Sequence, residues 1–297
     1  MIGFRSRAAQ LLSGGADRCH GKSTGARGAE SFFPCETALQ CKLPAGHAML
    51  QRDTAGLSDT GRKRSNNEDA FLVDDEHGLY AVADGMGGHL AGEVASAMVI
   101  DSLRAAVANP DAASPAAASA SRTAEAAKLL AWIRDANRRV YQRSQSDAHC
   151  RGMGATIAAL YCVHNRIITA NVGDSPVYLV RGNDIEMISA MHTVAAEQAA
   201  AVSEYRELLS GMYRHMLTRA VGIEADITPH ILETDCRAGD AFIVCSDGLS
   251  NAVATAEMSA IVRRAGAAEA CRRLVDLANA RGGDDNITVI VVKTLNA

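Results

Sequence analysis

Residues 70–89 read A-F-L-V-D-D-E-H-G-L-Y-A-V-A-D-G-M-G-G-H. Two apolar runs, 70–73 and 79–83, flank the turn-forming D-D-E-H-G, which is the composition of a β-hairpin. The second run stops at Asp84 and Gly85. A carboxylate is thereby delivered to the rim of a sheet rather than to a solvated helix face.

Outward from this hairpin the same alternation of elements continues. Residues 91–108 place Val94, Met98, Leu103 and Val107 at near-helical spacing, and 123–145 read as a second long helix. Between them the Pro-, Ala- and Ser-rich stretch 109–121 marks a flexible connection. Strands are expected at 156–163 and 166–172 around the turn His164–Asn165, and at 177–180 and 185–188 around R-G-N-D. The Ala- and Glu-rich stretch 194–216 reads as helix. Further strands are expected at 227–233, 241–245 and 287–292, with helices at 256–264 and 267–280. Repeated hairpins with helices grouped between them predict an α+β domain of antiparallel sheets covered by helices, not a doubly wound parallel sheet. Residues 1–50 lack periodicity and read as a disordered N-terminal extension; 51–297 form the domain.

Composition narrows the function. A formal net charge of −4 argues against a nucleic-acid binder, which carries a basic excess. Aromatic residues at 4% leave few stacking platforms for single strands. None of the cysteines forms a C-x-x-C pair, so neither a zinc ribbon nor a thioredoxin-like motif is indicated. Their scatter suits a reducing, cytoplasmic setting. No apolar run approaches the roughly 20 residues that cross a bilayer. A monomer without membrane or nucleic-acid partners is expected.

Four acidic residues stand beside strand ends and glycines: Asp84 in A-V-A-D-G-M-G-G, Asp174 in N-V-G-D-S, Asp247 in S-D-G-L-S and Asp285 in G-G-D-D-N. A glycine after the aspartate lets the backbone turn sharply and brings its carbonyl within reach of a ligand. Oxygen-only clusters select hard divalent cations such as Mg²⁺ or Mn²⁺, and convergent carboxylates repel one another without one. One D-G dipeptide would be only a turn, and Asp74, Asp75, Asp184 and Asp235 read that way. Four similar settings together favour a site.

These pieces stand in a familiar order. R-S-N-N-E-D-A-F (64–71), A-D-G-M-G-G-H (83–89), G-M-G-A-T (152–156), N-V-G-D-S (171–175), L-T-R-A-V-G (217–222), S-D-G-L-S (246–250) and D-D-N-I-T-V-I (284–290) follow one another. From about Gly56 to its end the chain resembles the PP2C-type (PPM) metal-dependent protein phosphatases, particularly the short bacterial members. The resemblance implies a central β-sandwich flanked by helices in four αββα layers, with two Mn²⁺ or Mg²⁺ ions at one end. It implies that Asp84 bridges both ions, that the Gly85 carbonyl, Asp247 and Asp285 are the remaining direct ligands, and that Glu68 and Asp69 hold metal-bound waters or complete the shell. Asp174 resembles the position that binds a third ion with Asp247. Arg64 occupies the phosphate-binding slot, which suits a planar, permanently charged fork; Arg62 and Lys63 beside it read as solvated charges. The implied reaction is hydrolysis of phosphoserine or phosphothreonine on proteins by a metal-activated water, opposing Ser/Thr kinases. Control of a secretion apparatus such as type VI is one implied setting. A catalytically silent binding module of the same fold is the alternative, and would have lost a ligand position.

The chain departs from the family pattern in four places. Animal relatives carry a histidine two residues after the bridging aspartate, where this chain has Met86; His89, three residues further on, reads either as a general acid or as a structural or helix-capping residue, and a metal-bound water is the alternative proton donor. Pro176 follows G-D-S where arginine is usual, and Met191 in S-A-M-H-T (189–193) replaces an acid. The stretch 195–216 sits where relatives carry a variable flap. His192 and His215 lack partners at zinc-ligand spacing and read as surface or loop residues.

Overall fold

The computed structural model describes residues 50–87, 91–109, 122–201 and 216–295. The expected extension (Leu50 apart), most of the flexible connection, His89, His215 and most of the flap stretch lie outside the described residues.

The opening hairpin forms β2 (Asp69–Asp74) and β3 (Leu79–Met86), paired antiparallel from Asp69↔Asp84 to Asp74↔Leu79. One sheet continues from β3 through β5 (Ile157–Val163), β6 (Arg166–Val172) and β9 (His230–Asp235), and the two-residue β4 (Gly154–Ala155) pairs with the end of β3. The other sheet runs β1 (Arg52–Asp59), β11 (Ile287–Thr294), β10 (Ala241–Cys245), β7 (Val177–Arg181) and β8 (Asp184–Met187). The neighbouring strands pair antiparallel throughout.

Strand alternation sorts the side chains into separate cores. Leu79, Ala81 and Ala83 of β3 pack beneath α1 (Ala91–Ala108) and α2 (Ala124–Ser146). Ile243, Cys245, Val289 and Val291 pack beneath α5 (Thr255–Arg264) and α6 (Ala267–Ala280). The intervening residues, Tyr80, Val82, Leu160, Leu179, Phe242, Val244, Ile290 and Val292, meet between the two sheets. The expected helix-covered antiparallel sandwich is therefore the fold found.

Three expectations change. The stretch 194–216 is not one helix: α3 is Val194–Ala201, and Val194 N–H donates to the Met216 carbonyl at 2.9 Å. A continuous 23-residue helix would hold those ends about 34 Å apart. The strand expected at 227–233 begins instead at His230, because Pro229 has no N–H to offer a ladder. Strand β1 went unread; it lies at a sheet edge and all of its residues are half-buried, so its R-D-T-A-G-L-S-D carries too little apolar contrast to announce itself.

Candidate functional site

The alternation that fills the inter-sheet core with carbon also decides what stands at its mouth. Two residues beyond Val82 on the same face of β3 is Asp84; two before Phe71 on β2 is Asp69; two beyond Val244 past β10 is Ser246; two before Ile290 on β11 is Thr288. Asp69 is held in place by hydroxyls: Ser246 Oγ and Thr288 Oγ1 donate to its Oδ2 at 2.8 and 2.6 Å. Thr156 Oγ1 accepts from the Asp84 N–H at 3.0 Å and shares a proton with Ser175 Oγ at 2.6 Å. One end of the sandwich is thus a layer of hydroxyls and carboxylates resting on carbon.

The loops that leave these strands bring in the remaining acids. Asp174 follows β6, Asp247 opens α4 (Asp247–Ser250), and Asp285 precedes β11. Asp84, Asp174, Asp247 and Asp285 line one cavity of about 1020 Å³ together with Arg64, Glu68 and Gly85. The structure therefore brings together all the sequence-predicted site residues it describes except Asp69, which lies one layer deeper. It also separates the two members of D-D-N. Asp285 faces the cavity, whereas exposed Asp284 pairs with Lys63 at 2.5 Å. Arg64 Nη2 donates to Asp285 Oδ2 at 2.8 Å, so its guanidinium is held at the cavity wall.

The electrostatics follow from crowding carboxylates at a shielded site. Burial pushes Asp174 up to about 7, with the charges of Asp247 and Asp285 adding to it. Burial likewise pushes Asp69 up to about 6, against the hydrogen bonds from Thr288 and Ser246. Asp84 is driven well above the carboxylate range by burial and then by the charges of Asp69, Asp247, Asp285 and Asp174. Glu68 is raised by burial, against the attraction of Arg64. Positive charge placed among these groups would reverse each penalty.

The donor set fits a hard divalent cation. Every donor is oxygen, and the buried Oδ1 of Asp69 has no hydrogen-bond partner, a cost of about 1–3 kcal/mol if left so. Gly85 fits for a steric reason: a Cβ there would lie 2.1 Å from the Gly92 carbonyl oxygen and 2.7 Å from that of Glu68. Among the described residues no three acidic, imidazole or thiol groups close a shell around one ion by themselves. Backbone carbonyl and water must complete it, as Mg²⁺-like ions prefer.

Sequence reasoning missed the supporting shell. Asn286 accepts from the Glu68 N–H at 2.8 Å and donates to the Thr60 and Asn66 carbonyls at 2.9 and 2.8 Å, tying the R-S-N-N-E-D segment to β11. Counting the strand period past the last apolar residue would have found Ser246 and Thr288. His192 is not the surface or loop residue expected: it is 4% exposed, and its Nδ1 accepts from the Gly173 N–H at 3.1 Å. Burial lowers it to about 4, so it is a neutral staple beneath the Asp174 turn. Met86 lines the cavity and offers no proton.

Residues 59–287 match the family model described as protein phosphatase 2C. The serine/threonine phosphatase stp of Listeria welshimeri is 30% identical over 246 residues, covering 80% of this chain and 93% of that protein. The serine/threonine protein phosphatase PstP of Mycobacterium tuberculosis is 35% identical over 82% of this chain, which spans 45% of PstP. The PstP catalytic domain solved with two manganese ions superposes with a TM-score of 0.70 at 33% identity, over 82% of this chain and 99% of that one. PppA, described as a key regulatory component of the type VI secretion system in Pseudomonas aeruginosa, gives a TM-score of 0.69 at 32% identity, over 83% and 99%. With the family model spanning most of the chain and an acidic centre at the end of the sandwich, this protein belongs to the protein phosphatase 2C family, the metal-dependent serine/threonine phosphatases.

Proposed function

We propose that Asp84, the Gly85 carbonyl, Asp247 and Asp285 hold two Mn²⁺ or Mg²⁺ ions. Asp174 joins Asp247 around a third, and Glu68 and Asp69 order the surrounding water. The observation that carries this reading is the convergence of four aspartates from four separate chain segments on one cavity mouth. Bound there, the ions would neutralise the carboxylates and make water nucleophilic near neutral pH. The chain's own residues do the rest. Arg64, steadied by Asp285, presents a fork of donors to phosphoryl oxygens. Thr156 accepts the backbone N–H of Asp84, and Asn286 that of Glu68, so the backbone carrying each acid is anchored. Met86 cannot return a proton to the leaving hydroxyl, and His89 is the proposed imidazole donor.

The substrates are phosphorylated proteins of Ser/Thr kinase signalling in the cytoplasm, acted on by a monomer whose domain spans 51–297. Similarity to PppA is the support for a role in type VI secretion control. No helix among the described residues is long and apolar enough to cross a membrane.

Purified protein should hydrolyse p-nitrophenyl phosphate and a phosphothreonine peptide with Mn²⁺ and lose both activities on chelation. Asp84→Asn and Asp247→Asn should each lower kcat by about 10³-fold or more and weaken Mn²⁺ binding in calorimetry. Wild-type Mn²⁺ affinity in either variant removes the ligand assignment. His89→Ala should shift the pH profile of kcat, and an unchanged profile excludes His89 as the acid.

A further inference from the structure

A second cavity of about 650 Å³ is lined by Met191, Pro229, Ile231, Arg122, Arg219 and Thr228, among others. Arg219 and Thr228 also line the aspartate cavity, so the two are neighbours along one wall. We propose that this second cavity is a subsite for the substrate polypeptide beside its phosphorylated residue, selecting a bulky apolar side chain next to a carboxylate. The proposal rests on the phosphoprotein phosphatase activity and adds to it a rule for choosing among phosphoproteins.

Continuity sets the occupant. Arg219 and Thr228 line both cavities, so a chain whose phosphorylated side chain enters the aspartate cavity and that runs along this shared wall meets the second cavity. The lining sets the chemistry. Met191, Pro229 and Ile231 present carbon, and the thioether of Met191 adapts to irregular apolar shapes. Charge comes from guanidinium groups. Arg122 is exposed, and Arg219, 45% exposed, shares its charge with Glu197 at 3.3 Å. Two cations against one carboxylate leave a positive rim around an apolar floor. The imidazoles beside them add no charge: His192 accepts the Gly173 N–H on Nδ1, and burial lowers the pKa of His230. A nucleic acid or a free phosphate would use the cations and waste the carbon; a wholly apolar segment would leave the guanidiniums idle. An apolar residue beside an acidic one uses both.

The test compares phosphothreonine peptides carrying Leu-Glu a few residues before or after the phosphothreonine with the same peptides carrying Ala-Ala. Each rate is referred to p-nitrophenyl phosphate, which is too small to reach the subsite. With Mn²⁺-loaded wild type, one placement of Leu-Glu should raise kcat/KM about tenfold, mainly through KM. Arg122→Glu and Met191→Asp should each cut that preference to about threefold or less. Arg122 is exposed, so its variant keeps the fold, which far-UV circular dichroism checks. Equal rates for Leu-Glu and Ala-Ala in both placements, or a preference that survives both variants, overturns the proposal. Failure on p-nitrophenyl phosphate itself would remove the activity, and the subsite with it, and is distinguished by that control.

Discussion

Asp174 shows what a single carboxylate contributes and costs here. It is 6% exposed, and its pKa stands at about 7 against an ordinary 3.8. The folded chain therefore binds a proton that the unfolded chain has already released. The resulting stability is fully present below pH 3.8 and is lost as pH rises through 7. In chelator, where no cation offsets the charge, Asp174→Asn should match wild type near pH 4. At pH 8 the variant should be more stable, by about 4 kcal/mol, since each pKa unit is about 1.4 kcal/mol. Thermal unfolding at the two pH values checks this, and a variant that gains nothing at pH 8 would show that Asp174 is better solvated than its surroundings indicate. The same residue illustrates what sequence could and could not convey. G-D-S beside an apolar strand marked Asp174 as a candidate, but nothing local showed that Asp247 and Asp285 would raise its pKa from across the cavity.

Among the elements, α2 has a duty beyond covering its sheet. Asn137, 1% exposed, donates Nδ2 to the carbonyls of Glu224 and Ala225, both at 3.0 Å, and accepts the Gly222 N–H on Oδ1 at 2.8 Å. These bonds hold the loop that supplies Ile223, Glu224 and Asp226 to the cavity wall. Gly222 is at φ +88, and a Cβ there would lie 2.3 Å from Val140 of the same helix, so helix and loop fit closely. Asn137→Ala strands buried backbone groups and should cost about 2–3 kcal/mol in denaturant unfolding. It should also raise KM for a phosphopeptide more than for p-nitrophenyl phosphate, because the wall moves and the aspartates do not. Parallel loss on both substrates would mean that Asn137 serves stability alone. Helical periodicity over 123–145 gave the helix, and Thr123 caps it by accepting the Ala126 N–H at 3.2 Å. Asn137 falls on the buried side of that helix, and its loop partners lie more than 80 residues further along the chain, where helical periodicity cannot point.

For the whole molecule, the inter-sheet core is the platform on which the site rests. Phe242 is fully buried there among Tyr80, Val82, Leu160, Val244 and Ile290. Phe242→Ala should cost about 3–5 kcal/mol through lost transfer energy and the cavity left behind. The single tryptophan, Trp132, lies in the helix layer and meets Tyr161 of β5 edge-on at 5.5 Å. Its fluorescence reports the contact of the helix layer with β5, whereas far-UV circular dichroism reports the secondary structure of the whole domain, helices included. Coincident denaturant midpoints in wild type and variant are expected if helices and sheets unfold as one unit; separated midpoints would make the layers independent.

By itself the sequence determined most of the elements and the kind of chemistry, missing the edge strand β1 and the early end of α3. Apolar runs of strand length around turn residues gave the hairpins, because a pleated strand alternates its faces whatever lies next to it. Aspartates beside glycines at strand ends pointed to an oxygen-lined site, because that pairing is local to each turn. Only the tertiary structure decided which groups share a cavity and which merely decorate it. Asp285 faces the site while Asp284 points to Lys63, and Asp69 sits beneath on two hydroxyls. Arg219 lines both cavities. Those assignments depend on register between strands far apart in the chain. Residues 69 and 246, or 68 and 286, become neighbours only when the sheets pair and pack, and no local pattern encodes that distance.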